Sequence, residues 1–128
     1  MNDALQQFLD SVRDAPFEWG EHDCAMFAAR AVDAARGTHH TQSVRAFGAR
    51  SARDYRRLLR ERGTLDSLTT GVLGHSVAAK IERGDVVLVG RGARAALGIA
   101  VPPVVLIAAE VGVRPLPLAL AVRIWKAC

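Results

Sequence analysis

Phe17-Glu18-Trp19-Gly20-Glu21-His22-Asp23-Cys24-Ala25-Met26-Phe27 is the stretch that decides how this 128-residue chain folds. Gly20 permits a tight bend. Asp23 is a residue type whose carboxylate caps a helix N-terminus. Behind it Cys24, Phe27, Ala28, Ala31 and Ala35 recur on one face of a helix predicted from Cys24 to about Arg36, and Arg36-Gly37 reads as its stop. So many alanines on one face predict close packing against a sheet or another helix. Cys24, the only interior cysteine, falls in the first turn, where backbone N–H groups and the helix dipole are expected to favour a thiolate.

Upstream, Asn2 or Asp3 can cap a first helix whose Leu5, Phe8, Leu9 and Val12 follow the i, i+3, i+4, i+7 pattern, with Pro16 ending it. Downstream, Thr38–Gly48 has no clear period and reads as a loop. Ser51-Ala52-Arg53-Asp54 is a capping box with Asp in place of Glu; it opens a helix through Arg62 with Tyr55, Leu58 and Leu59 expected to face inward. A short helical turn is expected around Leu65–Thr70, with Gly71, Gly74 and His75 in a connecting segment.

From residue 85 the pattern changes. Asp85–Val89, set off by Gly84 and Gly90, is a continuous apolar run that predicts a buried strand. Ala95–Val101 and Val104–Ala109, joined at Pro102-Pro103, give two more; Val111–Leu116 and Leu120–Trp125 complete the set. Asp85 is expected to fix the turn before the first strand. Helices first and strands afterwards predict one α+β domain over 1–128, helical in 1–70 and β-rich in 84–126.

Composition bounds the function. The net charge of +4 rests on fifteen arginines against two lysines, seven of them between Arg45 and Arg62. That cluster raises the question of a nucleic-acid face. Asp54 and Glu61 interrupt it, so a solvated or protein-contacting helix surface is the expectation. Cys24 and Cys128 are too few for a disulfide framework or a zinc site, although a single bond between them stays open. His39 and His40 are adjacent and lack further ligands, so neither metal nor cofactor is expected. The start has no signal-peptide pattern, and the longest uncharged run is too short to span a bilayer; synthesis in the cytoplasm is expected.

An aromatic residue, Trp19-Gly20, two residues, Asp23-Cys24 at a helix start, Gly84-Asp85-Val86-Val87 before a strand, then Leu97-Gly98-Ile99: this order resembles the NlpC-type papain-like cysteine peptidases, which hydrolyse peptidoglycan peptides. It is more similar to small phage- and prophage-encoded relatives of that group, tail proteins encoded near the tail-tip genes of long-tailed phages. The likeness runs from Phe17 to Trp125. It implies a cysteine-bearing helix packed on an antiparallel sheet, with Cys24 as nucleophile and a histidine base at the start of the strand after Gly-Asp-Val-Val. Here the chain departs from the pattern. Ala96 occupies the histidine position, no histidine follows His75, and Ala25 stands where many active members have serine.

A thiol nucleophile needs an imidazole within hydrogen-bond reach to take its proton and later protonate the leaving amine; alanine does neither. The expectation is therefore a degenerate peptidase fold with a vestigial catalytic Cys24. By resemblance its role is structural: a tail-tip or tail-assembly protein, bound to other tail-tip or tail-hub proteins, made in the host cytoplasm and carried in the virion. The proline-interrupted, apolar strands also suit a partner surface better than a polar peptide groove. Three alternatives remain: a cell-wall endopeptidase using His22 or His75 as a displaced base, an acyltransferase or amidase on the same scaffold, and nucleic-acid binding through Arg45–Arg62. Asp23 is expected to serve as the helix cap, and Trp19 as core or rim packing.

Overall fold

A computed structural model describes residues 3–126. The Cys24–Cys128 pairing and the Asn2 cap lie outside those residues. Five helices precede five strands: α1 (Ala4–Ser11), α2 (Cys24–Arg36), α3 (His40–Arg45), α4 (Ala52–Arg62), α5 (Leu65–Leu73), then β1 (Val86–Val89), β2 (Ala96–Val101), β3 (Val104–Ala108), β4 (Val113–Pro117) and β5 (Ala121–Trp125). The strands form one antiparallel sheet in the order β4-β3-β2-β1-β5. The chain is thus an α+β domain.

The strand order forces curvature. Adjacent strands lie about 4.8 Å apart, so β4 and β5 would be about 19 Å apart in a flat sheet. Pro117 and Ala121 are joined by a single 3₁₀ turn, Leu118–Leu120, and four residue steps reach at most about 14 Å. The sheet must curl until its edges approach. The curl encloses a small core of Val87, Val89, Ala100, Val105 and Ile107, with Ile81, Leu116 and Leu118 packed against it. The outer, convex face carries the larger core: Leu5, Leu9 and Val12 from the N-terminal segment, Phe27, Ala28, Ala31 and Val32 of α2, and Val86, Leu88, Leu97, Ile99 and Trp125 of the sheet. β1 lies between the two cores, which explains why its four residues are all buried and apolar.

α2 begins and ends where the sequence places it. Asp23 caps Met26 N–H, and Gly37 closes the helix with φ +70°. Its small residues let it lie close on β2 and β3 while α1 packs beside it; Ala35, expected on the buried face, is exposed.

Other boundaries shift for identifiable reasons. α1 ends at Ser11, before Pro16, and Val12 stays in the core from a following turn. The segment read as a loop contains α3, whose start is held from α2: Asp33 accepts the N–H groups of His40 and Thr41, both at 2.8 Å, and the Thr38 hydroxyl at 2.6 Å. α5 continues past Thr70 to Leu73 and includes Gly71. α4 has the expected Ser51 cap and Arg62 end, but none of its residues is buried. Leu59 is exposed, and Tyr55 and Leu58 are half-buried. Val111 lies just outside β4, and β5 begins after Leu120.

Candidate functional site

The stretch from Phe17 to Cys24 folds into a tight turn. Glu18 and His22 form a β-bridge through both backbone amides, and Gly20 sits at its tip with φ +87°. Asp23, 1% exposed, follows as a hub. One carboxylate oxygen accepts Met26 N–H at 2.8 Å; the other accepts Gly20 N–H and the Tyr55 hydroxyl, both at 2.7 Å. The helix cap expected of Asp23 is present, and it also ties α4 to the turn. The Tyr55 hydroxyl is held protonated far above its usual range, by burial first and then by the Asp23 charge.

Cys24 is the first residue of α2 and half-buried. Its sulfur faces the backbone N–H of Leu97, with those of Ala25 and Cys24 itself beside it. The ladder explains the free donor: β2 pairs with β3 only from Ile99 onward, which leaves Leu97 N–H open on that side. Donors at a helix N-terminus favour a thiolate when they act alone. The balance goes the other way. Burial raises the thiol pKa above its ordinary value, the neighbouring Asp23 charge raises it further, and the N–H donors only partly offset the two.

No hydrogen bond joins Cys24 to a histidine among the described residues. His22 is 3% exposed, and its Nε2 donates to Gly112 O at 2.7 Å. A carbonyl only accepts, so Nε2 carries a proton; Nδ1 is buried without a partner. His22 therefore fastens the cysteine turn to the β3–β4 turn, where Phe17 N–H also bonds Glu110 O and Gly112 N–H bonds Ala15 O. Gly112 has φ +70°, and a Cβ there would lie 2.1 Å from Arg13 O, so only glycine permits this approach.

His75 is exposed in the segment after α5. Its neighbour Gly74 accepts the Trp125 indole N–H on β5, two strands from the Leu97 position that faces Cys24. That is about 9.6 Å of sheet. His39 and His40 lie at the start of α3, away from this turn, and no group of metal-ligating side chains occurs among the described residues. Ala96, where the resembling peptidases have histidine, packs on the inner face of the sheet and not on the face that α2 covers.

Phe17 and Trp19 form a rim beside the turn. Their rings meet edge to face at 4.9 Å, and Trp19 leans on Tyr55 at 5.2 Å. Phe17 also walls an open groove of 590 Å³ with Ile107, Glu110, Val111 and Arg114. The Tyr55–Asp23 and His22–Gly112 contacts were not legible in the sequence. Their partners are 32 and 90 residues apart, and no local spacing signals them.

Residues 1–127 match a family model described as "Domain of unknown function (DUF6950)". No curated protein and no solved structure matches the chain. Among the described residues no helix is long and apolar enough to cross a membrane.

Proposed function

The chain belongs to the DUF6950 family, and we propose that it is a non-catalytic domain of papain-like, NlpC type that serves as a structural part of a phage tail tip. The observation that carries the non-catalytic half is the surroundings of Cys24: a backbone N–H faces the sulfur, burial and Asp23 hold the thiol protonated, and the nearest histidine in sequence spends its Nε2 on Gly112. Cysteine peptidase chemistry needs the reverse, a thiol whose proton a neighbouring imidazole takes and returns. The tail assignment rests on the resemblance of Trp19-Gly20, Asp23-Cys24 and Gly84-Asp85-Val86-Val87.

The test is the pH dependence of Cys24 alkylation in a Cys128→Ser background. Reactivity is expected to rise only above the ordinary thiol value of about 8.5, and the protein is expected to leave purified peptidoglycan uncut. A thiolate formed well below pH 7 and lost in His22→Ala or His75→Ala would establish the alternative, a peptidoglycan endopeptidase with a displaced base. Mass spectrometry of purified particles, induced from the host that carries the gene, tests the tail assignment: the chain is expected among the minor virion proteins.

A further inference from the structure

Six large apolar side chains are exposed among the described residues, and four fall along one seam: Phe17 meets Trp19, Val111 lines the groove with Phe17, and helical spacing sets Leu59 one turn from Tyr55, which Trp19 touches. Trp19 is its centre, touching Phe17 on one side and Tyr55 of α4 on the other. The two flanks of this seam carry opposite charge. On the Phe17 side Glu18 and Glu110 are exposed, and Glu110 lines the groove together with one exposed cation, Arg114, so the acidic excess on that flank is small. On the α4 side Arg53, Arg56, Arg57 and Arg60 are exposed, and helical spacing sets Arg56 and Arg60 next to the Leu59 stripe. None of those four arginines, nor Glu18 or Glu110, takes part in an ion pair among the described residues.

We infer that this face binds a second copy of the same chain across a two-fold axis passing near Trp19, with the acidic flank of each copy against the α4 arginines of the other. A two-fold interface must be self-complementary: each patch meets its counterpart on the partner. An apolar centre between flanks of opposite sign has that property, and like charges would meet in any parallel stacking of the same faces. The residue types fit as well. Exposed Trp and Phe supply the anchors on which interfaces depend. Arginine, not lysine, is the cation enriched in contacts, because its planar fork grips carboxylates with two hydrogen bonds. Leu59 of α4 is exposed while Tyr55 and Leu58 are half-buried, so part of the apolar edge of α4 is left for a partner to cover. The inference does not rest on the reading of Cys24 or of the tail, and an enzyme could carry the same interface.

Sedimentation equilibrium of the full chain, over a concentration series in about 0.1 M salt, tests it. A species of twice the 13.8 kDa chain mass is expected, weakening as salt approaches about 1 M and the screening length falls to about 3 Å. Arg56→Glu with Arg60→Glu, and separately Glu18→Arg with Glu110→Arg, are each expected to weaken dimerisation by about tenfold or more. Combining the four reversals is expected to restore it, which also shows that the separate variants had folded. A monomer at every concentration overturns the inference, as does a dimer indifferent to both reversals or one that the combination fails to rescue. So does a monomer that binds duplex DNA through these arginines.

Discussion

At the scale of single residues, Asp23 has the largest share in shaping the cysteine turn. It caps α2, closes the Gly20 bend and takes the only tyrosine of the chain as a donor. A hydrogen bond to a charged group contributes about 1.5–3 kcal/mol, and its loss leaves a buried oxygen short of a donor. Tyr55→Phe is therefore expected to lower stability by about 1.5–3 kcal/mol in urea titration, with an unchanged m-value because the surface exposed on unfolding is the same. Tyr55 also offers a spectroscopic check. Its pKa is raised in the folded state, so its contribution is complete below the ordinary tyrosine value and is lost as pH climbs toward the folded one. Near-ultraviolet absorbance of the native protein should show no phenolate at about pH 10; phenolate should appear together with unfolding. Ionisation at the free-tyrosine value without unfolding would contradict the Tyr55–Asp23 bond.

At the scale of elements, the sequence was most legible where one residue type settles a boundary. Asp23 and Gly37 delimit α2, Ser51 and Gly63 delimit α4, and the buried run Val86–Val89 appears as a strand because it lies between two cores. It was least legible where an element depends on something distant. α3 needs the Asp33 carboxylate, seven residues before His40. The apolar edge of α4 predicted burial, yet the chain covers it only in part: Tyr55 and Leu58 are half-buried and Leu59 is exposed. The site followed the same division: the Asp23 cap could be read locally, but the locking of His22 by Gly112 could not. Gly98 lies between these cases. It is central in β2 with ordinary backbone angles, and a Cβ there would meet Leu106 O and Val105 Cγ1, both at 2.6 Å, inside the curl of the sheet. Gly98→Ala should cost about 1–3 kcal/mol by overpacking. The same change at Gly71, where a Cβ meets nothing within 4 Å, should instead stabilise α5 by about 0.5–1 kcal/mol. Parallel thermal melts of the two variants would measure both; a neutral Gly98→Ala would mean that the sheet is flatter than described.

At the scale of the whole molecule, the curl must be held at its seam, and the end of the chain supplies the fastening. Lys126 follows β5, and its ammonium donates to Asp85 at 2.7 Å, to Glu82 at 2.9 Å and to Lys80 O at 2.8 Å. Its backbone carbonyl accepts from Arg36 at the end of α2. One residue thus links the last strand, the turn before the first strand and the main helix. Asp85 is fully buried, so removing a cation beside it costs more than a surface pair would, whereas the bond to the exposed Glu82 adds little. The Lys126 pKa is raised by the hydrogen bonds to Asp85 and Glu82. A raised lysine stabilises fully below its ordinary value, and that contribution fades as pH rises through the folded one. Stability should therefore fall on the alkaline side, where Tyr55 adds to the same limb. Lys126→Met keeps the aliphatic stem and removes the charge. It is expected to lower the melting temperature at pH 7 and to make the alkaline decline shallower, leaving the parts due to Tyr55 and Cys24. Calorimetry across neutral to alkaline pH separates the contributions, since Tyr55→Phe removes a second one and the double variant should keep only the decline that the raised Cys24 thiol causes. A Lys126→Met protein that melts like the wild type at pH 7 would place the closure of the sheet in apolar packing alone.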